Sequence, residues 1–316
     1  MIAIVISSCI NNKKTPENNN PEISLKSFSG DYVSSEYDKR SEGYDWVAVT
    51  IKQTTDSTAH ISVRSRADRK KPSCTFDVDA LKTVNNTLTT SIDGKKIKFT
   101  LKVDTLKIDT EKVEDINILN YYCSGGGSLL GAYKKINTPL DKTQIDSTVF
   151  VKYLSLQNIS FEIRSTGEGS IQHLTIQPSG LKRVNEKISL EVVGTIVNAE
   201  IEDLNSDGFP EVLIYTVSAG SGSYGNVIGY SVNNGKSISQ IHFPNIADNA
   251  KANNGYMGHD EFTIIETHLA QRFQTYKLND TNSSPTGNMR QILYKLTDGE
   301  ASRQFVVDKI IEFSIK

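Results

Sequence analysis

The chain has 316 residues, 37% of them hydrophobic, with 35 basic and 37 acidic side chains for a net charge of −2. That length suggests about two domains, and the near-neutral balance lacks the basic footprint of a nucleic-acid binder. The charge is uneven: residues 200–316 hold 14 acidic and 9 basic side chains, net −5, leaving +3 on the remainder. Thr, Ser and Asn are frequent while Ala and Leu are few, which favours strands over helical bundles.

At the N-terminus, Ile2–Ile6 is a short apolar run followed by Ser7, Ser8 and Cys9. An aliphatic residue three before a cysteine, with small residues between, resembles the lipobox of bacterial lipoproteins, although no basic residue precedes the run. The resemblance implies that residues 1–9 are a signal peptide cleaved before a lipidated Cys9. The protein would then be anchored to a membrane of the bacterial cell envelope, facing the periplasm or the outer-membrane surface. Residues 10–27 are polar and rich in Asn and Pro, too poor in apolar groups to bury a core, and read as a disordered tether. No other stretch approaches the ~20 apolar residues of a membrane-spanning helix.

Residues 28–136 alternate apolar and polar positions in short runs: 45–53, 57–65, 73–80, 86–92, 96–103 and 129–136 read as strands. Asp93-Gly94 marks a tight hairpin between two of them. Regular spacing without a helical period predicts a small antiparallel barrel or sandwich, with the lone Trp46 in its core. Cys74 and Cys123 form an even pair, which in an exported chain suggests a disulfide worth about 4 kcal/mol by loop entropy; two buried thiols are the alternative. Arg64, Arg66, Arg69, Lys70 and Lys71 read as a solvated basic hairpin tip, or as a contact for an anionic polymer at the cell surface. Without interleaved aromatics the cluster does not suggest nucleic acid. Residues 137–147 carry Pro and charges without periodicity and are expected to be the linker between domains.

From residue 148 the pattern is again strand-rich. Strands are expected over 149–156, 159–165, 171–177, 188–194, 195–204, 211–217, 226–232, 237–243, 262–269, 272–278, 290–296 and 303–313, with one short helix near 246–252. A twisted sandwich or barrel of about ten strands fits. The chain is therefore expected to be all-β, with two antiparallel β domains.

Three kinds of chemistry compete for the second domain. Asp203, Asn205, Asp207 and Glu211 stand around Gly208 as D-x-N-x-D-G-x-x-E, hard oxygens suited to calcium. An EF-hand loop would carry Glu where Ile214 stands, and a strand rather than a helix follows. A looser calcium turn of a surface adhesin or glycan-binding module is one reading, and an Asx turn satisfying its own amides is the other. Gly220, Gly222 and Gly225 satisfy G-x-G-x-x-G, but a hairpin rather than a helix follows, which excludes a dinucleotide loop. His259 and Asp260, with His242 or His268, could supply hydrolase chemistry; no serine stands in G-x-S-x-G and the histidines lack metal spacing, so an enzyme is not expected.

The fourth reading concerns Ser221-Gly222-Ser223-Tyr224. Together with VGTIVNAEIEDLNSDGFPEVLIYTVSAGSGSYGNVIGYSVNNGKSISQI, NNGYMGHDEF and PTGNMRQILYKL, it resembles the bacterial periplasmic inhibitors of I-type (invertebrate) lysozyme over residues 193–313. The resemblance implies an inhibitor domain spanning 148–316 and no cofactor. Its S-G-x-Y loop would enter the lysozyme cleft, so that the Ser221 and Tyr224 hydroxyls meet the catalytic acids. The partner-binding residues would then be Gly220, Ser221, Gly222, Ser223 and Tyr224, and the partner a lysozyme, with homo-oligomerisation left open.

Overall fold

Alternation in the first half of the chain closes a sheet on itself. The computed structural model describes residues 24–84, 86–167 and 169–314; the expected signal peptide, the lipidated Cys9 and most of the tether lie outside the described residues. Strands account for 53% of the structure and helix for 9%, so the protein is all-β. In the N-terminal half the strands are β1 (Gly30–Val33), β2 (Ala48–Gln53), β3 (Thr58–Arg64), β4 (Ser73–Thr83), β5 (Thr87–Ile92), β6 (Lys95–Lys102), β7 (Thr105–Thr110), β8 (Cys123–Ser124) and β9 (Gly131–Ile136). Eight of them form a closed antiparallel barrel in the order β3-β2-β1-β9-β7-β6-β5-β4, sealed by β3 pairing with β4. Closure leaves no sheet edge exposed to other chains. On β6 the period of two is plain: Ile97, Phe99 and Leu101 face inward beside Phe28, Tyr32 and Phe76, while the intervening residues face out.

The two-residue β8 pairs with the start of β4, and there Cys74 and Cys123 form the disulfide, with Cα atoms 4.1 Å apart. Leu25 and Phe28 bury into the barrel core, so the folded chain begins inside the expected tether. Residues 137–147 are also ordered against the barrel. Leu140 and Ile145 pack on Val33, Tyr37, Trp46 and Ala48, and the Ala67 amide donates to the Gln144 carbonyl at 2.7 Å. Arg64 is not part of a solvated tip. It is buried, grips Asp77 with two 2.7 Å bonds, and donates from Nε to the Thr148 carbonyl at 2.8 Å. Arg66, Arg69 and Lys70 are paired with Asp45, Asp68 or Asp146. The basic run is thus largely neutralised, by its own Asp68 and by Asp45, Asp77 and Asp146 brought in from other segments.

The second half has twelve strands in three successive four-stranded antiparallel meanders. The first is β10 (Thr148–Leu156), β11 (Ile159–Thr166), β12 (Ile171–Ser179) and β13 (Ile188–Val193). The second is β14 (Thr195–Glu202), β15 (Glu211–Val217), β16 (Gly225–Asn233) and β17 (Ser237–Ile241). The third is β18 (Glu261–Ile265), β19 (His268–Gln274), β20 (Met289–Thr297) and β21 (Gln304–Phe313). One core, including Phe161, Ile163, Leu174 and Ile214, lies between the first and second sheets. Another, including Leu213, Tyr215, Phe273, Ile292 and Phe305, lies between the second and third. The expected sandwich therefore has a third layer. The single strand expected over 262–269 is two strands, broken at Glu266, whose φ of 53° turns the chain. The expected helical segment forms as a 3₁₀ turn, Ile246–Asp248, and a helix, Ala250–Asn253, capped by Asn245 and Asn249.

Candidate functional site

The central sheet explains why its sequence carries so uninterrupted an apolar run. On β15, Val212 and Ile214 face the first core while Leu213 and Tyr215 face the second, so both faces need apolar side chains. A strand packed on both sides is a rigid post, and the loop Ser218–Tyr224 leaves its C-terminal end before β16 returns. The loop closes on itself through Ser218 N–H to the Tyr224 carbonyl (2.8 Å) and Tyr224 N–H to Ser218 Oγ (2.9 Å). Ser223 at the tip adopts φ 44°, and its amide donates to the Gly220 carbonyl at 3.0 Å.

A second segment braces this loop from behind. The His259 amide donates to the Gly222 carbonyl (2.8 Å), and Asn282 Nδ2 donates to the Ser221 carbonyl (2.8 Å). Asp260 holds the base of the loop: one carboxylate oxygen accepts from the Gly225 amide (2.7 Å) and the Tyr256 hydroxyl (2.6 Å), and the other accepts from Gln271 Nε2 (2.6 Å). Burial raises the pKa of Asp260, and the same three donors oppose the rise. The approach is so close that a Cβ on Gly258 would stand 2.0 Å from the Gly222 carbonyl oxygen, and one on Gly222 would stand 2.5 Å from the Tyr224 ring. Glycine is needed at both positions for this packing.

The loop's main-chain groups are thus satisfied inward while its hydroxyls are left outward. Ser221 is exposed, Tyr224 is 47% exposed, and neither side-chain oxygen has a hydrogen-bond partner among the described residues. The Tyr224 ring is held edge-to-face against Tyr256, with centroids 5.7 Å apart. Beside it opens a hollow of about 530 Å³, lined by Tyr224, Tyr256, Phe243, Pro244 and Ile246 among others.

The acidic turn is a separate structure. It lies at the other end of β15, roughly 20 Å away for seven extended residues. Asp203 accepts from the Asp207 and Gly208 amides (3.0 and 2.9 Å), Asn205 from the Asp207 amide (3.2 Å), and Asp207 from the Phe209 amide (2.9 Å). Glu211 is fully buried, accepting from the Leu204 amide (2.9 Å) and Ser231 Oγ (2.6 Å). Arg303 closes the group at 2.6 Å from Asp207 and 3.4 Å from Glu211. The oxygens that could have served calcium are thus taken up by turn amides and a guanidinium. Among the described residues no group of three His, Cys, Asp or Glu side chains is arranged to hold a metal.

Three of the four residues with hydrolase potential, Asp260, His259 and His268, are also occupied. Asp260 is the strut just described, and the His259 ring lies 3.4 Å from Asn282 Oδ1 and stacks on Tyr276. His268 stands instead 3.6 Å from Asp308. Gly220, Gly222 and Gly225 sit in a strand–turn–strand, with no helix to present amides to a phosphate. Sequence reasoning found the loop but missed its braces, Asp260 as strut, Asn282 and Gly258, and it missed Arg303 in the acidic turn. No family model matches the chain, and no curated protein matches it.

Proposed function

We propose that this chain is a binding protein, not an enzyme, that inhibits lysozyme of the I-type by inserting the Ser221–Tyr224 loop into the active-site cleft. The observation that carries the reading is the division of labour in that loop. Its carbonyls at Ser221 and Gly222 are tied back to Asn282 and His259, while the exposed Ser221 and half-exposed Tyr224 keep hydroxyls that have no hydrogen-bond partner among the described residues. A lysozyme cleft presents one protonated and one ionised carboxyl group. A hydroxyl can accept from the first and donate to the second, rotating to suit, whereas a carboxylate would be repelled. Bracing reduces the ordering cost of association. The half-exposed Tyr224 ring offers a rigid anchor with few rotatable bonds, and the net −5 on residues 200–316 favours encounter with a cationic enzyme.

The resemblance over residues 193–313 supports the same reading. The test is the double variant Ser221→Ala/Tyr224→Ala. Each hydroxyl residue is worth ~2 kcal/mol or more as an interface hot spot, roughly thirtyfold in affinity. The variant is expected to stay folded, with a midpoint lowered only by the lost Tyr224–Tyr256 contact, about 1 kcal/mol, and to lose inhibition; full inhibition by the folded variant would remove the loop mechanism. The proposal includes lipid anchoring at Cys9 in the cell envelope. Cys9→Ser is expected to move the protein from the membrane fraction to the soluble one, and an unchanged membrane fraction would contradict it.

A further inference from the structure

A second surface, far along the chain from the loop, has the chemistry of a ligand site. Where the barrel meets the first meander, three tyrosines converge. Tyr121 lies edge-to-face with Tyr122 (5.2 Å, 85°) and with Tyr153 of β10 (5.9 Å, 72°), and Tyr122 and Tyr153 are 5.5 Å apart. They border a hollow of about 240 Å³ whose rim carries Asp93, Lys95 and Asn117.

Two features separate this cleft from ordinary core packing. Tyr122 is buried, but Tyr121 keeps 61% of its surface open. An exposed aromatic ring beside a hollow is a platform, because its electron-rich face attracts weakly positive C–H groups. The three polar side chains on the rim are exposed and make no hydrogen bond or ion pair among the described residues. Together they offer an acceptor, a donor and an amide that does both. One platform and three free polar groups match a sugar ring, which has a C–H face and hydroxyls around its edge. The opposite charges of Asp93 and Lys95 leave no net bias towards a charged ligand.

The platform is also fixed in place. Tyr121 ends a four-residue helix, Ile118–Tyr121, and two residues later Cys123 is joined to Cys74 on β4. Between them the Thr75 amide donates to the Tyr122 carbonyl at 3.0 Å. Asp93 sits in the β5–β6 hairpin, with φ 50°, and lines the cleft. A cleft at the junction of two packed units is a common location for small-ligand sites. Its volume lies below the ~300–1,000 Å³ typical of pockets that enclose a whole ligand, which suits one ring of a longer chain lying across the rim.

We propose that this cleft binds a single pyranose ring of a neutral glycan chain, with Tyr121 as the stacking platform and Asp93, Lys95 and Asn117 as hydrogen-bonding partners. The site does not depend on the lysozyme reading. The test titrates the full chain with chitotetraose, cellotetraose and maltotetraose by calorimetry and saturation-transfer NMR. At least one is expected to bind at millimolar concentration or below. Tyr121→Ala should weaken it about tenfold while the protein stays folded with a modestly lowered unfolding midpoint, from loss of the contacts to Tyr122 and Tyr153, and Lys95→Met, which keeps the hairpin, should weaken it severalfold at the wild-type midpoint. Ser221→Ala/Tyr224→Ala should bind the saccharide as wild type does, which separates this site from the loop. Absence of binding by all three saccharides, or wild-type affinity in both Tyr121→Ala and Lys95→Met, would overturn the proposal.

Discussion

Gly258→Ala tests whether the Ser221–Tyr224 loop is held in place from behind. Gly258 adopts φ +86°, and an added Cβ would lie 2.0 Å from the Gly222 carbonyl oxygen and 3.1 Å from the Tyr224 ring. Contacts of that kind are not found below 3.0 Å, so the loop must retreat by about 1 Å. The retreat breaks or weakens the 2.8 Å bond from the His259 amide, about 1 kcal/mol net. The left-handed backbone costs an alanine roughly a further 1–2 kcal/mol. The expected loss is about 2–3 kcal/mol in urea denaturation. Displacing the two hydroxyls should also weaken lysozyme inhibition by about tenfold or more, one hydrogen bond's worth or greater. Gly220→Ala is the control, since a Cβ there meets nothing within 4 Å, and its stability should match wild type. If Gly258→Ala unfolds at the wild-type midpoint and inhibits fully, the bracing argument is refuted.

Two further outcomes are expected. Burial lifts the Glu211 carboxyl to about 7 from its ordinary 4.5, against the pull of Ser231, the Leu204 amide and Arg303. Because the folded-state value is raised, the stabilisation is fully present below pH 4.5 and is lost as pH rises through 7, a total of roughly 3 kcal/mol. Denaturation midpoints measured across that window should fall with pH, and Glu211→Gln should flatten the slope; an identical slope in the variant would contradict the assignment. The disulfide closes a loop with a sequence separation of 49, so Cys74→Ser/Cys123→Ser should cost about 4 kcal/mol in urea denaturation. An unchanged midpoint would mean that the barrel does not depend on the staple.

How legible these features were depended on how far apart in the chain their partners lie. Strands of the barrel announced themselves by alternation, since one face meets the core and the other meets water. The continuous run Val212–Val217 marked a strand for the opposite reason: both of its faces are covered. β7 escaped notice because the turn before it places Val103, a β-branched residue, at φ 54°, where Gly or Asn would have signalled a hairpin. The third layer was invisible because periodicity reports which face is buried, not what covers it. The loop's small residues could be read locally. Asp260 braces it from 35 residues beyond Gly225, and Asn282 from 61 beyond Ser221. Arg303 reaches Asp207 across 96 residues, and without it the acidic turn looks like a cation site. Arg64 likewise looked solvated until β4 brought Asp77 beside it.

The most direct measurement of the central claim is residual activity of I-type, chicken-type and goose-type lysozymes titrated with the purified wild-type protein. The expected result is saturable inhibition of the I-type enzyme at equimolar ratio, weaker or absent for the others. Full activity of all three enzymes in the presence of excess folded protein would contradict it.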